Sequence, residues 1–172
     1  MTTALQRALR REKPFSSPAE QAFLGLTLAS LRLAEPWTAY LKTHAGLTPA
    51  QYNVLRILRD ARPHGVTCGE IADRVLNRDP DITRLIDRLS RSRLAERERD
   101  PDDRRIVRVS ITRAGLDVLR RLDRPVVDTT QQVLGRLGPK RLSQLNALLD
   151  TVIDYLDPPS PDSPGTSSKE TT

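Results

Sequence analysis

The stretch Asp100-Pro101-Asp102-Asp103-Arg104-Arg105-Ile106-Val107-Arg108-Val109-Ser110-Ile111-Thr112 decides the fold. In its second half Val107, Val109 and Ile111 alternate with Arg108 and Ser110, the period of a half-buried strand. Asp100-Pro101-Asp102-Asp103 is turn chemistry, and the preceding Leu94-Ala95-Glu96-Arg97-Glu98-Arg99 can supply an antiparallel partner. The segment predicts a β-hairpin in a chain whose remaining periodicity is helical.

Upstream of the hairpin, Ile82, Leu85, Ile86 and Leu89 recur at i, i+3, i+4 and i+7 of a helix, opened by Asp79 as N-cap and Pro80 at the first helical position. A shorter helix is expected from Cys68 to about Val75, with Ile71, Ala72 and Val75 on one face. Only Leu76-Asn77-Arg78 separates the two. A short helix, a tight turn and a second amphipathic helix make a helix-turn-helix, and the hairpin after it is a wing.

Further out, Ser17-Pro18-Ala19-Glu20, Thr48-Pro49-Ala50-Gln51 and Thr67-Cys68-Gly69-Glu70 read as capping boxes. They start helices at Pro18, running to about Thr43 with a bend at Pro36, at Pro49, running to about Asp60, and at Cys68. Thr112 can cap a helix carrying Leu116, Leu119, Leu122 and Val126, kinked or interrupted near Pro125. A last helix, Pro139 to Leu156, bears Leu142, Leu145, Leu148, Leu149, Val152 and Leu156, a stripe too apolar for water.

The expected fold is mainly α with a small β-hairpin wing: a winged helix-turn-helix domain over 17–156. Its DNA-binding region spans 48–112, between dimerisation helices at 17–45 and 113–156. Residues 1–16, with Arg7, Arg10, Arg11 and Lys13, read as a flexible basic arm or a short basic helix, and 157–172 as a disordered tail.

Composition narrows the partners. At 172 residues the chain suits one domain, and with 3% aromatic residues its core must be aliphatic, a small core that a second subunit would complete. The net charge of +6 favours a polyanionic partner, and its arginine bias fits phosphate and guanine recognition or simply GC-rich codon usage. One cysteine, Cys68, excludes an intrachain disulfide and a cysteine-cluster metal site. The N-terminal stretch Met1-Thr2-Thr3-Ala4-Leu5-Gln6-Arg7 is unlike a signal peptide and no run is apolar enough to cross a bilayer, so the cytoplasm is expected. No catalytic, phosphate-binding or metal-ligand motif accompanies His44 or His64, so neither an enzyme nor a cofactor is expected.

The order of elements, and the spelling from Thr48 to Gly115, resembles the MarR family of winged-helix regulators. Leu47-Thr48-Pro49-Ala50-Gln51-Tyr52-Asn53-Val54-Leu55 resembles that family's second-helix opening, and Ile82-Thr83-Arg84-Leu85-Ile86-Asp87-Arg88-Leu89 its recognition helix. Asp103-Arg104-Arg105, with Ile111-Thr112 five residues later and then Gly115, is similar to the family's wing pattern. The resemblance implies that Arg105 enters a minor groove and that Asp103 braces it.

Thr83, Arg84 and Arg88 lie opposite the apolar face of their helix, where an arginine fork can grip guanine or phosphate; the alternative is a solvated face with Asp87 pairing Arg91. Asp81 can cap the helix or accept from a cytosine amino group. Arg78 in the turn and Arg104 on the wing complete the DNA-facing set.

Trp37, Tyr40, His44 and Tyr52 gather half of the aromatic side chains, either as a packing stripe or as a seat for the small aromatic or phenolic effectors that the family resemblance implies. Cys68 at a helix start reads as packing or as a redox-sensitive thiol. The function expected is a sequence-specific duplex-DNA regulator, a ligand-responsive repressor acting as a homodimer on an inverted repeat. A winged-helix module that binds only protein is the alternative.

Overall fold

Helix starts follow the hydroxyl caps. The computed structural model describes residues 2–76 and 81–157, in two compact units, 1–126 and 127–172. The first holds α1 (Ala4–Ala8), α2 (Pro18–Ala45), α3 (Pro49–Asp60), β1 (Val66–Thr67), α4 (Cys68–Arg74), α5 (Ile82–Arg91), β2 (Ala95–Arg99) and β3 (Val107–Ile111). α6 (Arg113–Leu134) begins in it and ends in the second unit, which adds a 3-10 turn (Gly135–Leu137) and α7 (Gly138–Leu156).

Thr48 and Thr67 form complete capping boxes with Gln51 and Glu70. Ser17 caps α2 by accepting from the Glu20 amide, but the box does not close, because the Glu20 carboxylate turns to the Ser16 amide and to Arg11 instead. That ion pair and a Thr3–Gln6 capping box organise the N-terminal segment, in which Ala4–Ala8 form a short helix.

Two helices stay continuous through a proline, and one helix start is displaced from expectation. α2 is one helix through the exposed Pro36, where water can serve a carbonyl that proline leaves without a donor, and α6 runs on through Pro125. α5 starts two residues later than Asp79-Pro80 implied: Asp81 is its N-cap, with Oδ1 accepting from the Arg84 amide at 3.1 Å. Asp79 and Pro80 themselves lie outside the described residues, as do Arg78 and the expected tail beyond Asp157.

The wing is part of a three-stranded antiparallel sheet, ordered β1-β3-β2. β2 and β3 pair with Ala95 opposite Ile111 and Arg97 opposite Val109, and the short β1 sets Val66 against Val109. β1 was not expected, because its two residues run straight into the Thr67 cap and carry no period of their own.

The core is aliphatic, as composition required. Leu41, Val54, Leu55, Leu58, Ile71, Ile86, Leu89, Val109, Leu119 and Leu122 are its fully buried side chains, each worth roughly 1.5–3 kcal/mol. Ile86 and Leu89 seat α5, and Val109 seats the wing, in the same cluster. In the second unit no residue of α7 is buried, and Leu148, Val152, Ile153, Tyr155 and Leu156 are exposed.

The passage from β3 into α6 closes the wing's base. The Thr112 amide donates to the Leu94 carbonyl at 3.1 Å, its hydroxyl donates to the Arg93 carbonyl at 2.8 Å, and the same hydroxyl accepts from the Gly115 amide at 3.1 Å. Gly115 sits so close to this crossing that a Cβ would overlap the Leu94 carbonyl oxygen and lie 2.7 Å from Ile111 Cγ1. Neither is the mobile end of a long side chain, so nothing can yield cheaply. Gly115→Ala should therefore lower stability by about 1–3 kcal/mol, as overpacking does, read as a drop in thermal midpoint.

Candidate nucleic-acid interface

α5 is divided cleanly by its own period. Leu85, Ile86 and Leu89 are buried, whereas Thr83, Arg84 and Arg88 are exposed. Asp81 does more than cap, since its Oδ2 also lies 3.0 Å from Arg84 Nε and so sets that arginine's direction. Asp87 pairs not with Arg91 along the helix but with Arg97 of β2, at 2.7 Å. The other arm of the Arg97 guanidinium donates to the Thr83 carbonyl at 3.3 Å. Arg97 reaches α5 because it stands opposite Val109, on the inward face of the hairpin.

The wing's turn is built around Asp100. Its Oδ1 accepts from the Asp102 and Asp103 amides at 2.9 and 3.3 Å, and its Oδ2 accepts from Arg108 Nε. The backbone closes the same loop: Asp100 donates to the Ile106 carbonyl and Ile106 to that of Asp103, both at 2.9 Å. The Arg108 guanidinium and those two amides hold the Asp100 carboxyl below its ordinary value. Arg108 is held above its ordinary value by Asp100 first, with Glu70 of α4 and Asp102 adding to it.

At the tip, Asp103 Oδ1 accepts from the Arg105 amide at 2.9 Å and from Arg105 Nε at 3.3 Å. The Arg105 side chain is 93% exposed, and Arg104 beside it is exposed too. Of the eight residues expected to face DNA, α5 and its cap carry Asp81, Thr83, Arg84 and Arg88, and the wing carries Asp103, Arg104 and Arg105. Arg78 lies outside the described residues. Sequence reading missed Arg97 and Arg108 as partners of Asp87 and Asp100. Spacing gave no signal for either, because both contacts are set by the register of the ladder.

The four residues expected around an effector form one run of rings, in which Trp37 stacks on Tyr40 at 6.2 Å between ring centroids. Tyr52 is buried, with Trp37 edge-on to it at 4.9 Å between ring centroids. Tyr40 and His44 stack at 4.0 Å and line a cavity of about 160 Å³ together with Ala45, Val118, Arg121 and Leu122. His44 Nδ1 lies 3.0 Å from the Tyr40 carbonyl oxygen, which occupies that ring nitrogen. Cys68 is half-buried at the start of α4 and packs against the core. Among the described residues no helix is long and apolar enough to cross a membrane.

Comparison with known proteins agrees with this geometry. The MarR family model matches residues 45–106, from the end of α2 to the wing. A MarR transcription factor from Planctomyces limnophilus is 38% identical, with a TM-score of 0.59 over 80% of this chain and 99% of that one. Sco3205, a MarR family transcriptional regulator from Streptomyces coelicolor solved in complex with DNA, is 25% identical, with a TM-score of 0.74 over 86% of this chain and 94% of its own. The homoprotocatechuate degradative operon repressor of Escherichia coli is 26% identical over 144 residues, 81% of this chain and 95% of the repressor. With an arginine-bearing face of α5 exposed beside an arginine-tipped wing, and with these likenesses along most of its length, the chain belongs to the MarR family of transcriptional regulators.

Proposed function

We propose that this protein represses transcription as a cytoplasmic homodimer that grips an inverted repeat in duplex DNA, and that it performs no catalysis. The observation that carries the reading is Arg105: an arginine at the wing tip, almost wholly in water, held at backbone and side chain by one acid. A cation so exposed contributes little to folding, and its brace is useful only if its direction matters. In the proposed complex Thr83, Arg84 and Arg88 face a major groove, while Arg105 and Arg104 reach the adjoining minor groove. Two findings in other proteins support this: Sco3205 was solved with DNA, and the Escherichia coli relative is an operon repressor.

The dimer reading rests on apolar side chains left in water. Phe23, Leu26 and Leu31 on α2, and Leu148, Ile153 and Leu156 on α7, are exposed in the single chain. Such residues need a cover, and a second copy supplies an equal face. Two recognition helices related by a two-fold axis then enter major grooves about 10 base pairs apart.

The cavity beside Tyr40 and His44 supports an effector reading. Its volume of about 160 Å³ suits a single aromatic ring, since an apolar cavity of roughly 150 Å³ elsewhere accepts benzene. Arg121 on its wall supplies a cation for a carboxylate or phenolate, so a monocyclic aromatic acid is the proposed class.

The acid behaviour of the wing follows from Asp100. Its folded value is depressed, so its contribution is complete above the unfolded value of about 3.9 and is lost as pH falls through the still lower folded value. Exchange of the Asp102 and Asp103 amides should stay slow from neutrality to about pH 4 and quicken below it, once corrected for intrinsic rates. Asp100→Asn should quicken it at neutral pH.

Arg105→Ala should weaken binding of a duplex selected from a random pool by about tenfold, a typical loss for one groove contact, with the thermal midpoint nearly unchanged. Asp103→Ala should weaken it as well, although it removes a negative charge. Log affinity should fall with log salt by about 0.9 per phosphate neutralised, and five base pairs inserted between half-sites should abolish most of the affinity. A complex indifferent to salt and spacing would transfer the reading to a protein-binding module.

A further inference from the structure

The contact from Arg97 to α5 belongs to neither DNA-facing surface, yet it joins them. Its guanidinium holds two successive turns of the recognition helix at once: Nη1 lies 2.7 Å from Asp87 Oδ1, and Nη2 donates to the Thr83 carbonyl at 3.3 Å. Asp87 is the acid placed amid the arginines of α5. Arg84 stands three residues before it and Arg91 four residues after it, both within reach along a helix. Left without Arg97, its carboxylate would draw one of them aside and present a negative charge toward phosphate.

We propose that Arg97 is a positioning residue for DNA recognition, fixing the rotation of α5 against the wing and keeping the Asp87 carboxylate engaged on the strand side. The inference rests on the DNA-binding reading above for its consequence, but not for its geometry. Both partners are about a third exposed, so the pair contributes little to stability. What it sets is direction, because the planar fork bridges a side chain and a carbonyl that a point charge cannot hold together. The hairpin register makes this reach available: Arg97 pairs across the ladder with the buried Val109, so its side chain leaves the strand on the face that packs toward α5.

The test uses the full chain with two probes, a duplex selected from a random pool by the wild-type protein and a scrambled duplex of equal length and composition. Arg97→Gln should quicken amide exchange over residues 84–88 without DNA, and weaken the selected duplex about tenfold while the scrambled duplex changes less than twofold. Asp87→Asn in that background removes the stray carboxylate and should recover most of the loss. Arg97→Lys should fall between the wild type and Arg97→Gln in both measurements, which keeps the proposal testable should the glutamine variant fold poorly.

Equal losses on both duplexes, with the salt slope shallower by about 0.9 and no recovery by Asp87→Asn, would make Arg97 a phosphate contact and overturn the proposal. Unchanged exchange over 84–88 would overturn it too. If the wild type selects no duplex, the DNA reading fails by itself, and the exchange measurement still decides whether Arg97 holds the helix.

Discussion

The register of the β2–β3 ladder is the constraint from which the surface formed by α5 and the wing takes its shape. With Arg97 opposite Val109 and Glu98 opposite Arg108, the two central arginines leave the hairpin on opposite faces. One holds α5 and the other holds the wing's own turn. A slip of one residue would exchange the faces, burying Arg108 and Ser110 while exposing Val109, so the apolar core fixes the register and the register fixes both arginines. The Thr112–Gly115 crossing then prevents the slip from starting at the base, because it pins β3's end to the Leu94 carbonyl.

Four acids of α5 and the wing act through arginine. Asp81, Asp87, Asp100 and Asp103 each pair with one, namely Arg84, Arg97, Arg108 and Arg105. The pairs differ in what they hold. Asp100 is nearly buried and also accepts two backbone amides, so its partner helps to build the turn. Asp103 is more open, and Arg105 beyond it stays in water. A free arginine samples many rotamers, and ordering one on binding costs about 0.5–1.5 kcal/mol; an acid that narrows this set beforehand lowers that cost.

How much of this was legible in the sequence depended on whether the physics was local. Thr48 with Gln51 and Thr67 with Glu70 act over three residues, and both were readable from spacing. The apolar face of α5 was equally plain, because Ile82, Leu85, Ile86 and Leu89 obey one period. Asp81 as the cap was ambiguous, since Asp79-Pro80 offers the same chemistry two residues earlier. What could not be read is what register and packing bring together: β1 against Val109, Arg97 against Asp87, and Arg121 beside Tyr40 and His44. The resemblance to a family supplied the pairing of Asp103 with Arg105, but nothing about Arg97.

The distribution of burial separates what folds the protein from what it does. Aliphatic side chains carry the stability, and the Asp100–Arg108 pair has a partner that is nearly out of water. Exposed pairs are worth between nothing and about 1 kcal/mol, against an overall stability that is typically about 5–15. The arginines proposed to meet DNA can therefore vary without unfolding the chain, so a family built on this core can change its operator while keeping its fold. Arg97 stands between these two groups. It is exposed enough to be replaced without unfolding, yet it touches the backbone of the recognition helix, so a change there alters how every side chain on α5 meets the groove rather than any one contact.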